Sequence, residues 1–336
     1  MIERSATMAA ANNGGPAPEV SVAPGRPPLL AAPSLAMEPA WLSEHRDRLR
    51  DLVSRHGALL VRGLGITDAG QAAEVSTVLL DEVMAEQEPF APRTALSPGL
   101  YSGTHWPSDQ PMCMHHELSY GPVMPGLLVF TCLAAPTTGG ATALADAAAV
   151  LDDLPDDLVA RFEASGWQLR RVYNDLIGIP WQEAFGTTDR SEVERYCAEH
   201  AIEYRWNPGG LLRTVRRCPA VRVHPATGAR LWCNQIAFLN EWTIDPAVRA
   251  YLTAEFGPDG LPYTTTDGDG VLVDESTVEL INEVYARHTV AEPWQAGDLL
   301  VVDNLGIAHS REPFEGERSV AVAMGDPVPI RPPCPR

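Results

Sequence analysis

The spacing of apolar and polar residues predicts two helices near the start of the folded chain. Apolar side chains recur at helical spacing over residues 41–53, and Gly57 is a typical stop for this helix. Residues 58–63 form a short predicted strand, and Thr67 with the acid after it opens a second helix that extends to about residue 87. This alternation of strand and helix does not continue, which argues against a doubly wound sheet.

The rest of the chain is dominated by short predicted strands separated by Gly/Pro turns. Segments rich in Val, Leu and aromatic residues predict strands at 126–133, 142–146, 167–173, 220–225, 230–235, 298–304 and 319–325. Helical patterns interrupt them at 146–164, 246–255 and 275–287. Strands at this spacing favour a β-sandwich or barrel decorated with helices, so we expect an α+β fold with a sheet-on-sheet core.

Composition divides the chain into three parts. Residues 1–38 are rich in Ala, Pro and Gly without periodicity, which predicts a flexible arm. We expect one folded domain over residues 39–328 and a short tail over 329–336.

Charge and residue usage exclude several function classes. The net charge of −19 disfavours a nucleic-acid partner, because the chain should repel phosphate backbones. All 25 basic residues are Arg, so lysine-dependent Schiff-base and phosphate-loop chemistry is excluded. No apolar run approaches the roughly 20 residues of a membrane span. The six cysteines contain no C-x-x-C pair, which indicates reduced thiols in a cytoplasmic protein.

The segment MCMHHELSYGP contains the first candidate for chemistry. On an extended backbone, His115 and Glu117 leave the same face and His116 points the other way. An imidazole beside a carboxylate supplies two thirds of the 2-His-1-carboxylate triad that binds non-haem Fe(II). The motif is short, and an ordinary histidine with a neighbouring acid is the alternative.

A second candidate lies far downstream. The predicted strand 298–304 ends in Asp303 and Asn304, and His309 follows after a short loop. A β-sandwich can bring such a strand end against the first motif, although an isolated histidine more often serves packing. Arg318 starts the next strand and could pair with a dicarboxylate, the alternative being a surface salt bridge.

The segment PTTGGATALAD is the third candidate. Its glycine pair permits a tight turn, and the Thr142 hydroxyl on the following strand can bind a carboxylate oxygen. Packing alone also explains a β-branched residue in a strand.

Taken together, these residues resemble the Fe(II)/2-oxoglutarate-dependent oxygenases of the TauD/TfdA superfamily. The similarity is greatest to the branch that includes clavaminate synthase and the syringomycin-biosynthesis hydroxylases. Three blocks in the same order carry it, at 115–146, 224–238 and 294–325, and it extends over roughly residues 55–326.

The resemblance implies a double-stranded β-helix, or jelly-roll, core and a set of site residues. It assigns His115, Glu117 and His309 to Fe(II), and Arg318 with Thr142 to 2-oxoglutarate, with O₂ as the other co-substrate. Related halogenases replace the carboxylate ligand by a small residue. Since Glu117 is present, hydroxylation or another oxidation is expected and halogenation is not.

The resemblance also implies a small substrate of the amino-acid type, free or tethered to a peptidyl carrier protein, in antibiotic or other natural-product biosynthesis. Residues flanking the motif blocks are candidates to contact it: Ser119, Tyr120, Asn234, Gln235 and Arg311. Two other functions use the same ligands. One is a metal-binding jelly-roll protein without turnover, and the other is a zinc hydrolase.

Overall fold

The computed structural model describes residues 20–32, 39–174 and 178–330. Its helices are α1 Pro39–His56, α2 Ala69–Leu79, α3 Ala147–Asp153, α4 Asp156–Ser165, α5 Trp181–Phe185, α6 Arg190–Glu199, α7 Pro246–Phe256 and α8 Glu275–Arg287. Three single turns of 3₁₀ helix lie at Pro208–Gly210, Glu241–Thr243 and Pro258–Gly260.

Its strands, in chain order, are β1 Val20–Ser21, β2 Leu29–Ala31, β3 Ala58–Arg62, β4 Val83–Met84, β5 Ala95–Ser97, β6 Leu100–Ser102, β7 Met112–His115, β8 Val123–Ala134, β9 Thr138–Gly139, β10 Thr142–Asp146, β11 Trp167–Tyr173, β12 Glu203–Trp206, β13 Leu212–Cys218, β14 Val221–Val223, β15 Arg230–Trp232, β16 Tyr263–Asp267, β17 Thr289–Val290, β18 Leu299–Asp303, β19 Ile307–Arg311, β20 Phe314–Glu315 and β21 Ser319–Pro329.

A large sheet forms one wall of the core. Its strands lie in the order β1-β2-β3-β18-β8-β21-β6-β5, with β4 also pairing with β21. Alternate residues of β18 face opposite sides: Leu300 and Val302 pack in the central core, while Leu299 and Val301 pack in the cluster that contains α1 and α2. Because both faces of this sheet are buried, its strands are continuous apolar runs, which is why the sequence predicts them well.

A smaller sheet in the order β17-β10-β19-β7 faces the large one. The two sheets enclose a cavity, lined by Phe130, Val320 and Val322 on the large sheet and by Met112 and Thr142 among others on the small one. The expected sheet-on-sheet, jelly-roll core is therefore confirmed. A third sheet, β12-β13-β11-β16, lies outside this pair.

The predicted arm and two predicted helices need correction. Within the predicted arm 1–38, residues 1–19 and 33–38 lie outside the described residues, but β2 pairs in parallel with β3 and Leu30 is buried. The predicted helix 146–164 is two helices, because Pro155 has no N–H to donate and stands at the start of the second. The helix that starts after Asp68 ends at Leu79, and β4 occupies part of its predicted length.

Candidate active site

Three buried donor side chains converge at one end of the cavity. His115 ends β7 and lies directly opposite His309 of β19 in an antiparallel pair. Glu117 follows in the turn between β7 and β8, where Leu118 adopts a left-handed φ of 52°. One ligand atom from each of His115, Glu117 and His309 lies within 4.8 Å of the others. Two residues that are 194 positions apart in the chain thus meet through strand pairing.

Both imidazoles are prepared to act as neutral ligands. The His115 Nδ1–H donates to the carbonyl of Cys113 at 2.9 Å, which leaves the Nε2 lone pair free. Nε2 of His115 and Nε2 of His309 lie 4.0 and 3.9 Å from Oε2 of Glu117. Burial lowers the pKa of both histidines. Two neutral imidazoles and a carboxylate fit a divalent ion such as Fe(II).

The charge of Glu117 is stabilised by Arg93, a residue that the sequence analysis missed. Arg93 Nη2 donates to Glu117 Oε2 at 2.8 Å, and both side chains are almost fully buried. Burial alone would raise the pKa of Glu117, but the guanidinium and His115 hold it below its ordinary value. Arg93 lies between β4 and β5 in a segment without a periodic pattern, so no local signal in the sequence identifies it.

The backbone of Glu117 is held by Asn304, at the end of β18. The Asn304 Oδ1 accepts the Glu117 N–H at 2.8 Å, and its Nδ2 donates to the Glu117 carbonyl at 3.0 Å and to the Pro125 carbonyl at 2.8 Å. Asn304 is fully buried. A single amide side chain therefore connects the turn that carries Glu117 to the large sheet.

The neighbouring His116 points away from this cluster. Its Nδ1–H donates to the carbonyl of Asn304 at 2.7 Å, and Nε2 faces the carbonyl of Trp232 at 3.1 Å. Complete burial lowers the pKa of His116 to about 4, so the ring is neutral despite these two acceptors. The choice of His115 rather than His116 beside Glu117 therefore agrees with the observed geometry.

Arg318 and Thr142 lie together on another part of the cavity wall. The Arg318 Nε donates to the carbonyl of Gly140 at 2.8 Å, and Nη2 is 3.5 Å from the Thr142 hydroxyl. Gly140 has a φ of +70°, and a Cβ there would lie 2.9 Å from Phe314 Cβ and 3.1 Å from Arg318 Cδ. The glycine pair thus allows the turn and also leaves room for the arginine. Burial lowers the pKa of Arg318 to about 10, so the group is charged at neutral pH.

Four of the five predicted substrate residues do not line this cavity. The Tyr120 hydroxyl donates to the carbonyl of Glu88, Asn234 bonds to Ala220 and Ile236, and Gln235 donates to the carbonyl of His116. Ser119 is fully buried. All four residues are close to the motif blocks in the sequence but not to the cavity. The chain turns after Glu117 and directs Ser119 and Tyr120 into the protein interior, and Asn234 and Gln235 are buried there after β15.

Arg311 lines the cavity and leaves its buried Nε without a hydrogen-bond partner among the described residues, but its terminal nitrogens are engaged. Its two terminal nitrogens donate to the carbonyls of Trp106, Pro107 and Gln110, so the guanidinium braces the loop that precedes β7. The arginine-rich segment RTVRR, residues 213–217, forms part of β13. In it Arg216 is buried in a salt bridge with Glu88, while Arg217 is exposed.

Aromatic rings cover the side of the centre next to His115. Phe238 stacks on the His115 ring with centroids 4.3 Å apart, and Phe90 contacts Phe238 edge-on at 4.9 Å. Trp106 lies 6.3 Å from Phe238. These rings were not identified from the sequence, because they come from three separate loops.

Comparisons with known proteins agree with this geometry. The family model described as taurine catabolism dioxygenase TauD, TfdA family matches residues 24–324. The chain is 34% identical over 311 residues to the dapdiamide synthesis protein DdaC of Enterobacter agglomerans, covering 93% of this chain and 94% of that one. It is 26% identical to the clavaminate synthase-like protein At3g21360 of Arabidopsis thaliana, covering 92% and 93% of the two chains.

Solved structures share the fold. PvcB, an Fe, alpha-ketoglutarate dependent oxygenase from an isonitrile synthetic pathway, is similar with a TM-score of 0.53 and 17% identity over 95% of both chains. A taurine dioxygenase from Burkholderia xenovorans is similar with a TM-score of 0.51 and 18% identity, over 94% of this chain and 92% of that one. Among the described residues, no helix has the length and apolar character needed to span a membrane.

Proposed function

The chain belongs to the TauD/TfdA family of Fe(II)/2-oxoglutarate-dependent dioxygenases, and from this we propose that it hydroxylates a C–H bond of an amino acid or an amino-acid-derived substrate in natural-product biosynthesis. The observation that carries the proposal is the combination of three buried donors with a charged arginine on the same cavity. Fe(II), 2-oxoglutarate and O₂ are the cofactor and co-substrates of this family.

We assign the metal to His115, Glu117 and His309. These three side chains would hold Fe(II), which together with 2-oxoglutarate and O₂ supplies the oxidation of an unactivated C–H bond. The protein's contribution is to keep the imidazoles neutral by burial and to keep Glu117 ionised through Arg93. Asn304 fixes the turn on which Glu117 is placed.

We assign 2-oxoglutarate to Arg318 and Thr142. The guanidinium of Arg318 is charged, partly buried and bonded only to neutral oxygens among the described residues, so a carboxylate would satisfy it. The hydroxyl of Thr142 is placed to donate to the same carboxylate. With the carboxylate of Glu117 present among the donors, the proposed outcome is hydroxylation rather than halogenation.

Two relatives support the proposed substrate class. The similar protein DdaC is named for dapdiamide synthesis, and a second relative is named clavaminate synthase-like. Phe238 packs on the His115 ring and Phe90 packs on Phe238, so these rings would keep water away from that side of the metal centre. A peptidyl carrier protein that delivers the substrate remains a candidate partner, and the cytoplasm the proposed location.

The test is an anaerobic titration followed by exposure to oxygen. Fe(II) and then 2-oxoglutarate should produce a weak visible charge-transfer band, and oxygen should then yield succinate together with a mass gain of one oxygen in a substrate from a panel of free and carrier-bound amino acids. His309→Ala is the matched control and should give neither band nor succinate. If the wild-type protein forms no band, or if zinc supports hydrolysis instead, the proposal is wrong.

A further inference from the structure

The arginine that contacts Glu117 has hydrogen-bonding capacity that the protein does not use. Arg93 Nη2 donates to Glu117 and Nε donates to the Thr104 hydroxyl at 3.0 Å. Nη1 is buried and has no hydrogen-bond partner among the described residues. The side chain is only 5% exposed and lines the same cavity as Arg318. The unpaired N–H groups of Nη1 therefore belong to a guanidinium that faces the cavity.

The other buried arginines have paired terminal nitrogens, although Arg311 on the same cavity leaves its Nε unpaired among the described residues. Arg216 donates to the Glu88 carboxylate and to the carbonyl of Tyr120, and Arg171 uses both terminal nitrogens on carbonyls. Arg161 also has a buried terminal nitrogen without a partner among the described residues, but its side chain is 34% exposed overall and does not line this cavity. A deeply buried guanidinium N–H group without an acceptor lowers the stability of the folded protein, unless a bound ligand accepts its hydrogen bond.

The charges around Arg93 favour an anion as that ligand. Glu117 is shared between Arg93 and any divalent ion that the three donors hold. The second carboxylate near Arg93 is Glu86, 3.4 Å from Nε. Burial raises the pKa of Glu86 to about 7, which makes it a weak counter-ion at neutral pH. A planar guanidinium with free N–H groups matches a carboxylate.

We propose that Arg93 is a second carboxylate anchor in this cavity, separate from Arg318, with Nη1 as its donor. The proposal rests on the proposed function, because its ligand is a carboxylate that approaches the metal centre. Two carboxylates can reach this position: that of the substrate, and the 2-oxoglutarate carboxylate that is not held by Arg318. The first would make the enzyme selective for substrates with a free carboxylate.

The experiment uses Mn(II)-loaded protein and two simple probes, so it does not depend on turnover or on knowing the substrate. The affinity for 2-oxoglutarate is measured by calorimetry. With 2-oxoglutarate bound, acetate is then titrated, and the relaxation that Mn(II) causes in the acetate methyl protons reports binding near the metal. Acetamide is the neutral matched probe. Wild type is compared with Arg93→Gln, Arg93→Lys and the exposed control Arg217→Gln.

Two results support the anchor and identify its ligand. If the substrate carboxylate is the ligand, acetate but not acetamide is relaxed in wild type, and Arg93→Gln weakens this binding by roughly tenfold or more with unchanged affinity for 2-oxoglutarate. If 2-oxoglutarate is the ligand, Arg93→Gln weakens its binding by a similar factor. In both cases Arg217→Gln behaves as wild type and Arg93→Lys is intermediate, because it keeps the charge without the planar fork.

The anchor is refuted if Arg93→Gln binds both 2-oxoglutarate and acetate within twofold of wild type. Should Arg93→Gln fail to fold, Arg93→Lys decides the question by the same criterion. A failure of the proposed function gives a different result, since the wild-type protein itself would then not bind 2-oxoglutarate at its metal centre.

Discussion

Asn304 offers the sharpest test of how the fold positions the metal centre. Its amide makes three buried hydrogen bonds, two to the backbone of Glu117 and one to the carbonyl of Pro125. The change Asn304→Ala removes all three but leaves the donor side chains of the site intact. We expect both the stability of the metal-free protein and the affinity for metal to fall.

The size of each effect follows from these contacts. A buried hydrogen bond contributes about 1 kcal/mol net, so three contribute about 3 kcal/mol, and the backbone groups left unpaired add to the loss. The removal of a group that orients a metal ligand typically weakens metal binding by about 10- to 100-fold. The loss of metal affinity is the prediction specific to Asn304, because substitution of any buried hydrogen-bonded residue lowers stability.

A matched control separates these two effects. Asn234 is also a buried amide, bonded to the carbonyl of Ala220 and the N–H of Ile236, each at 3.0 Å, and it does not line the cavity. Asn234→Ala should lower the free energy of unfolding by about 2 kcal/mol while leaving metal affinity unchanged. Urea unfolding of the metal-free variants and calorimetry with Mn(II) measure the two quantities. If Asn304→Ala binds Mn(II) within twofold of wild type, the turn that carries Glu117 does not depend on Asn304 and the reasoning fails.

Three further changes test other parts of the site. His309→Ala should abolish iron retention, measured by metal analysis, with an unchanged near-ultraviolet circular dichroism spectrum, and retained iron would contradict the ligand assignment. Gly140→Ala should weaken 2-oxoglutarate binding by roughly tenfold in calorimetry, because a Cβ at φ +70° would push against Phe314 and Arg318, whereas normal binding would show that the turn adapts. Burial raises the pKa of Glu86 from 4.5 to about 7. Between these pH values the folded state holds a proton on Glu86 that the unfolded state has released, so the free energy of unfolding falls as the pH rises through this range. Glu86→Gln removes this titration, so its free energy of unfolding in urea should rise relative to that of wild type between pH 4.5 and 7, by about 3 kcal/mol at most. A difference between the two proteins that stays constant with pH would refute the pKa shift.

The sequence predicts the parts of the fold in which burial follows a simple pattern. Strands β8, β18 and β21 are apolar on both faces, because the large sheet packs against helices on one side and the central core on the other. By contrast, β13 carries three arginines among its seven residues and was not predicted. Its Arg216 points inward only because Glu88, from a distant loop, neutralises it there. A pattern that counts charged residues as exposed cannot find such a strand.

The same distinction between local and distant causes explains what could be predicted of the site. The two-residue spacing made His115 and Glu117 candidates, whereas His309 was assigned to the same centre through the resemblance to the TauD/TfdA superfamily. In the structure, the register of one strand pair places His309 opposite His115. Arg93, Phe90 and Phe238 reach the centre from loops whose paths no local pattern determines. Ser119 and Tyr120 show the opposite error, because closeness in sequence was taken as closeness in space. The left-handed turn at Leu118 separates them from the cavity just after Glu117 enters it. In this fold, therefore, two of the three donors come from one short motif and the third from a distant strand, whereas Arg93 and the aromatic rings come from loops brought together only by folding.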